Sequence, residues 1–273
     1  MNYVEVTVEF ERTHPWRDVL ISQLDQIGYE SFAETKTALL SYIPENAFDR
    51  EKLTYIEEID DVISVTTKVI EDQNWNAKWE ENFDPVLVED KLVIKAPFHR
   101  EEFQVKMEVI IQPQMSFGTG HHQTTWLISR FLFDQDLKGK KVLDMGTGTG
   151  VLSVIAEKKG AEFIYAPDID EWSFNNAKEN VLLNECSKIQ VALGGAELLK
   201  NKSFDFVIAN INKNVLVEQF SVYSDCMPEG GKMVISGFFT TDTEDLTNEA
   251  QKHGFIFERT ISKEGWAMMV FNK

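Results

Sequence analysis

The sequence predicts an α/β protein in which a doubly wound, mostly parallel seven-stranded sheet follows a smaller α+β module. Three observations predict it. From Leu137 onward, short apolar strands alternate with helical patterns. A glycine-rich turn follows the first of those strands. Within the first 70 residues the elements run β-α-β-β-α-β.

The module comes first. Tyr3–Phe10 alternates, with Val4, Val6, Val8 and Phe10 on one face, as a half-buried strand does. Thr13-His14-Pro15 opens a helix, with proline in the first turn where its missing N–H costs nothing. Trp16, Val19, Leu20, Leu24 and Ile27 mark its apolar face, and Gly28 stops it. Strands near Tyr29–Ala33 and Ala38–Ile43, a helix over Ala47–Glu57 and a strand over Val62–Ile70 complete a ferredoxin-like order. That arrangement hosts many binding functions and specifies none.

A connector follows. Asn74–Phe83 reads as a short helix carrying Trp75, Trp79 and Phe83 at i, i+4, i+8. Short strands fit Val86–Val88, Lys91–Lys95 and Val105–Ile111. The expected boundaries are therefore a domain over 1–72, a connector over 73–112 and a larger domain over 113–273. In the larger domain, strands fit Lys141–Met145, Phe163–Asp168, Ile189–Leu193, Asp205–Asn210 and Lys232–Gly237. Helices fit Val151–Lys159, Trp172–Asn184, Val215–Ser224 and Thr243–His253. A closing hairpin, Phe255–Ser262 and Trp266–Asn272, turns at Lys263-Glu264-Gly265 and adds an antiparallel strand.

Composition narrows the partners. Formal charge is -18 over 273 residues. So acidic a surface repels phosphates, and no direct nucleic acid binding is expected. It attracts basic proteins. Residues 1–72 carry 16 Asp/Glu against 6 Lys/Arg, a net of -10, and thus more than half of the excess. The bland reading is solubility, and the sharper one is a basic partner for the N-terminal module. Apolar runs reach six residues, far below the roughly 18 that span a bilayer, so no membrane role is expected. Met1 to Val6 has neither a basic start nor an apolar core, which argues against a secretory signal and for a cytoplasmic protein. Cys186 and Cys226 read as buried small hydrophobes, with a disulfide the lesser reading.

The glycine turn carries the chemistry. Asp144 ends a strand, and Gly146, Gly148 and Gly150 follow at alternate positions before a helix. Glycines there let the backbone turn sharply and approach a ligand. Asp168 lies 22 residues after Gly146, at the next strand's end, where an acid accepts hydrogen bonds from ribose hydroxyls. Dinucleotide sites space their glycines G-x-G-x-x-G, whereas here position 151 is Val. The Asp144 carboxylate opposes a pyrophosphate and suits a cationic amino-acid moiety. No G-K-[ST] follows, so the turn is not a P-loop.

Further motifs carry a family resemblance. Phe117-Gly118-Thr119-Gly120-His121-His122-Gln123-Thr124-Thr125 resembles the F-G-T-G-x-H-x-T-T signature of the methyltransferases that modify protein eleven of the large ribosomal subunit. Asp168-Ile169-Asp170 is similar to their D-I-D motif, Ala209-Asn210-Ile211 to their A-N-I motif, and 74–83 to their linker helix. Pro167 and Glu171 depart from the usual pattern without removing a ligand, and Asn212-Lys213-Asn214 departs from it where the acceptor details are set. The resemblance implies a recognition domain, a connector and a class I methyltransferase domain using S-adenosyl-L-methionine. It implies N-methylation of lysine side chains and the α-amine of a basic ribosomal protein. It implies cofactor contacts at Thr125, Gly146, Asp168 and Asn210.

Taken together, the expected cofactor site is Thr125, Asp144, Gly146, Gly148, Gly150, Asp168 and Asn210. Asp144 either supports the turn or takes the amino group. Asn210, facing the methyl, has a carbonyl that would accept hydrogens from an incoming amine. His122 either orients its loop or helps remove a proton. Thr124-Thr125 is expected to cap the following helix, and Gln112–Thr125 to form a flexible cover. No metal is expected, because adjacent His121 and His122 rarely face one ion. Two other readings compete: methylation of RNA or a small molecule, and a non-catalytic cofactor-binding ribosome-assembly factor. The absence of N-P-P-Y after the fourth strand argues against the N6-adenine and glutamine enzymes that carry it.

Overall fold

Two chain segments each build their own core. A computed structural model describes residues 2–12, 15–70, 80, 82–114 and 116–273. It divides the chain into compact units, Met1–Phe83 and Asp84–Lys273.

In the first unit, β1 (Tyr3–Phe10) buries Val4, Val6, Val8 and Phe10, the face that alternation marked. α1 (Trp16–Gln26) lays Leu20 and Leu24 against it. β2 (Ser31–Glu34), β3 (Ala38–Pro44) and β4 (Val62–Ile70) complete an antiparallel sheet in the order β2-β3-β1-β4. That is the strand order expected of the β-α-β-β-α-β pattern. The helix expected over Ala47–Glu57 is only partly formed. Two 3₁₀ turns, Glu45–Ala47 and Arg50–Leu53, precede one α-helical turn, α2 (Thr54–Glu57). The reason is Asp49, which sits extended and accepts the Glu51 N–H, so the chain restarts there. The expected helix start at Thr13-His14 lies outside the described residues, as does nearly all of the expected linker helix over Asn74–Phe83.

The second unit begins with a three-stranded sheet of β5 (Val86–Val88), β6 (Leu92–Lys95) and β7 (Met107–Ile110). Val88, Leu92, Ile94 and Val109 join one half of the unit's core. Residues 84–112, expected within the connector, thus pack into the larger unit.

The large sheet contains β8 (Lys141–Met145), β9 (Phe163–Asp168), β10 (Ile189–Leu193), β11 (Phe206–Asn210), β12 (Lys232–Phe239), β13 (Ile256–Lys263) and β14 (Trp266–Asn272). Their order is β10-β9-β8-β11-β12-β14-β13. β14 pairs antiparallel with both β12 and β13, while β8 to β12 pair in parallel. Alternate residues divide between two cores. Val142, Ile208 and Val234 face α3 (Gln123–Phe133) and α4 (Val151–Lys158). Leu143, Val207, Ala209 and Met233 face α6 (Lys213–Asp225) and α7 (Thr243–Lys252). Helix α5 (Glu171–Leu183) follows β9. Strand order reverses at β8, and in such sheets ligands bind beyond the carboxyl ends at that switch. No helix among the described residues is long and apolar enough to cross a membrane.

Candidate functional site

The turn after β8 is left-handed three times, with φ of 68°, 56° and 81° at Gly146, Gly148 and Gly150. Side chains are excluded there by contact as well as by backbone strain. A Cβ on Gly148 would lie 2.2 Å from the Phe117 carbonyl oxygen, and one on Gly146 2.6 Å from Ile211 Cγ2. Gly150 serves packing instead: it precedes α4, and its bare Cα faces Ala177 of α5.

Asp144 lies beneath this turn, 1% exposed. Its Oδ2 accepts from Thr147 Oγ1 at 2.8 Å and Ser153 Oγ at 2.6 Å. Burial pushes its pKa up to about 6, and those two hydroxyls oppose the shift. Asp168 stands at the tip of β9, where Oδ2 accepts the Gly148 N–H at 2.8 Å and Oδ1 the Asp170 N–H at 3.0 Å. Asp170 in turn caps α5 by accepting from Trp172 and Ser173.

These elements enclose a cavity of about 300 Å³ lined by Gly146, Gly148, Asp168, Ile169, Asn210 and Ile211 among others. Among the described residues Asp168 is the only charged group lining it, and no Lys or Arg does. Asn210, at the tip of β11, directs Nδ2 to Thr125 Oγ1 at 3.3 Å. Its buried Oδ1 has no hydrogen-bond partner among the described residues. Thr125 itself is wholly buried behind Asn210, one layer away from the cavity.

A second cavity of about 230 Å³ shares Phe117, Asn210, Ile211 and Asn212 with the first. His122 and Trp266 line it as well, their ring centroids 4.5 Å apart and edge to face. Phe117 lies 5.2 Å from His122, and Phe239, half exposed, lies 4.2 Å from Trp266. His122 is the N-cap of α3, accepting the Thr124 N–H at Nδ1. The expected Thr124-Thr125 cap is therefore two to three residues late, because both threonines already lie in the first turn of the helix. Burial lowers the His122 pKa below its usual range. His121 turns elsewhere, with Nε2 2.9 Å from the Asp84 carbonyl oxygen. Among the described residues no cluster could hold a metal ion.

The geometry thus brings Gly146, Gly148, Asp168 and Asn210 to one cavity and puts Thr125, Asp144 and Gly150 behind it. A family model described as "Ribosomal protein L11 methyltransferase (PrmA)" matches residues 5–273. The chain belongs to the ribosomal protein L11 methyltransferase family. Relatives named ribosomal protein L11 methyltransferase are 41% identical in Phocaeicola vulgatus, over 99% of both chains. One in Porphyromonas gingivalis is 42% identical over 93% of this chain and 90% of its own. A crystal structure of a ribosomal protein L11 methylase from Lactobacillus delbrueckii subsp. bulgaricus superposes with a TM-score of 0.65 at 23% identity, covering 70% of this chain and 99% of that one. This last match speaks for the fold alone.

Sequence reading of this L11 methyltransferase family member missed several site residues. Phe117 opens the signature, but nothing local says that its carbonyl fills the space above Gly148. Ile169 follows the strand-end acid and was legible as an exposed apolar residue beside a ligand. Trp266 and Phe239 carried no signal, because only the pairing of β12 with β14 brings them together.

Proposed function

We propose that the protein transfers a methyl group from S-adenosyl-L-methionine to lysine side chains and the α-amine of ribosomal protein L11. The observation that carries this reading is the paired cavity. A pocket whose one charge among the described residues is a carboxylate adjoins an aromatic cleft across Asn210. Family membership supports the substrate, since the relatives bear that substrate in their names.

The residues fit the cofactor. The glycine cradle would be filled by any Cβ, the lining lacks a cation for a pyrophosphate, and a buried amide oxygen stands without a partner. When bound, S-adenosylmethionine supplies a methyl group on a sulfonium already activated for in-line displacement. Gly146 and Gly148 would let the backbone approach its methionine part. Asp168, already oriented by two backbone N–H groups, would accept from its ribose hydroxyls. Asp144 acts one layer back, where its bonds to Thr147 and Ser153 hold the turn in shape.

The acceptor cleft has the chemistry a lysine needs. An ammonium ion has no lone pair to donate, and its ordinary pKa is about 10.4. Aromatic faces attract the cation. Burial against the apolar side chains of Phe117 and Trp266 would then favour its neutral form. With Asn210 Nδ2 directed to Thr125, Oδ1 would accept an amine N–H and aim the lone pair. His122 holds the start of α3 and the cleft wall, its Nδ1 already engaged as a cap acceptor. The reaction would then belong to the cytoplasm, where ribosomal proteins are met by modifying enzymes.

The test is incubation with methyl-labelled cofactor and purified L11, followed by intact mass measurement and peptide mapping. Label on lysine and α-amine nitrogens is the expected result. Label on RNA instead, or none on any folded ribosomal protein, overturns the reading.

A further inference from the structure

Helix α5 carries asparagines at 176 and 180 and is capped at its C-terminus by a third, Asn184, all spaced one turn apart on one face. Asn176 and Asn180 are fully buried. Amides in the middle of a helix are unusual at such depth unless they answer backbone groups. These do. Asn184 accepts from the Ile110 N–H at 2.9 Å and donates to the Ile110 carbonyl at 2.6 Å. Asn180 Oδ1 accepts the Gln112 N–H at 2.7 Å, and Asn176 Nδ2 donates to the Gln112 carbonyl at 3.1 Å. Ile110 at the end of β7 and Gln112 just beyond it thus pair with side-chain amides, as alternate residues would with a neighbouring strand.

Asn180 alone among the three also reaches the glycine turn, where Nδ2 donates to the Thr149 carbonyl at 2.9 Å. Thr149 is held on its other side by the signature segment. Its N–H donates to the Phe117 carbonyl at 2.9 Å and its Oγ1 to the Gly118 carbonyl at 2.6 Å. A closed ring results: Gln112 leads along the chain to Phe117 and Gly118, these bind Thr149, Thr149 binds Asn180, and Asn180 binds Gln112. Among the described residues, Phe117 is one of the four that line both cavities.

We propose that Asn180 is a positioning residue that ties Gln112 to the glycine turn at Thr149, which in turn holds Phe117 and Gly118, so that the two sides of the cofactor cavity are fastened together. The inference rests on the cofactor reading above for its effect on binding. Asn184 is the internal control, because it anchors the end of β7 at Ile110, two residues before Gln112, without touching the glycine turn.

The experiment compares the full chain with Asn180→Ala and Asn184→Ala by calorimetry with S-adenosylhomocysteine and by amide hydrogen exchange. Asn180→Ala should weaken binding by about tenfold or more, as loss of buried hydrogen bonds at a site does. Exchange should quicken together at 116–118 and 147–150. Asn184→Ala should lose thermal stability yet keep its Kd within about twofold, with faster exchange confined to 108–112. If Asn180→Ala does not fold, Thr149→Val removes the Oγ1 bond to Gly118, one of the two that join Thr149 to the signature segment, while sparing the ladder, and should give the same paired exchange in smaller degree. Binding losses that merely track stability in both asparagine variants would overturn the proposal, as would exchange that quickens in one segment alone. Should the unaltered protein take up no S-adenosylhomocysteine, the cofactor reading fails, while the paired exchange still decides the ring.

Discussion

Two carboxylates one strand apart divide the labour at the glycine turn, and their surroundings say which does what. Asp168 reaches the cavity, so Asp168→Ala should remove charge-assisted hydrogen bonds to the cofactor. Such bonds contribute about 1.5–3 kcal/mol each, or roughly ten- to hundredfold in affinity. Calorimetry with S-adenosylhomocysteine checks this, and an unchanged Kd would remove Asp168 from the site. Asp144 is buried, and its pKa of about 6 lies above the usual carboxylate value. A raised folded-state pKa means that the native state holds the proton more tightly than the unfolded chain does. The stability this confers is complete below about pH 4 and is lost as pH rises through about 6, a change of up to about 3 kcal/mol. Relative to Asp144→Asn, the native protein should therefore lose stability between acid and neutral pH. Urea midpoints measured across that window, without cofactor, would expose a flat difference if the argument is wrong.

At the scale of elements, the start of α3 joins stability to chemistry. His122→Ala should cost about 1 kcal/mol through loss of the N-cap. His122→Asn should restore the cap while leaving Trp266 and Phe117 without their ring partner. Denaturation and steady-state kinetics then separate the two roles: stability recovers in the asparagine variant, and kcat/KM for the protein substrate does not. A variant that regains both would show the ring to be dispensable. The legible part of this region follows from range. The strand, the alternate glycines and Asp168 are read from neighbouring residues, and the structure finds β8, the turn and β9 where periodicity put them. The 3₁₀ turns around Asp49 escaped because one side-chain cap outweighed a helical apolar pattern. The pairing of Phe117 and Gly118 with Thr149 spans 31 residues at its shortest, beyond any local rule.

For the whole molecule, the division of charge predicts a division of salt dependence. Residues 1–72 carry a net of -10, so attraction to a basic protein substrate should be screened as ionic strength rises. KM for that substrate should climb with salt while cofactor affinity, set inside a cavity within the second unit, stays nearly level. Equal response of both constants would deny the N-terminal unit its electrostatic role. The sequence made that asymmetry visible, and it made visible the two kinds of sheet. The insertion of β14 between β12 and β13 was not legible as a strand order, although a closing hairpin was.

That insertion has a bearing on biosynthesis. Strand β13 is made before β14 but reaches the sheet only through it. Until residues 266–272 leave the ribosome, β12 keeps a bare hydrogen-bonding edge, the kind of template on which nascent chains aggregate. The same residues deliver the indole of Trp266 to the cleft beside Asn210. A chain lacking β14 would thus expose a sheet edge and lack one wall of that cleft.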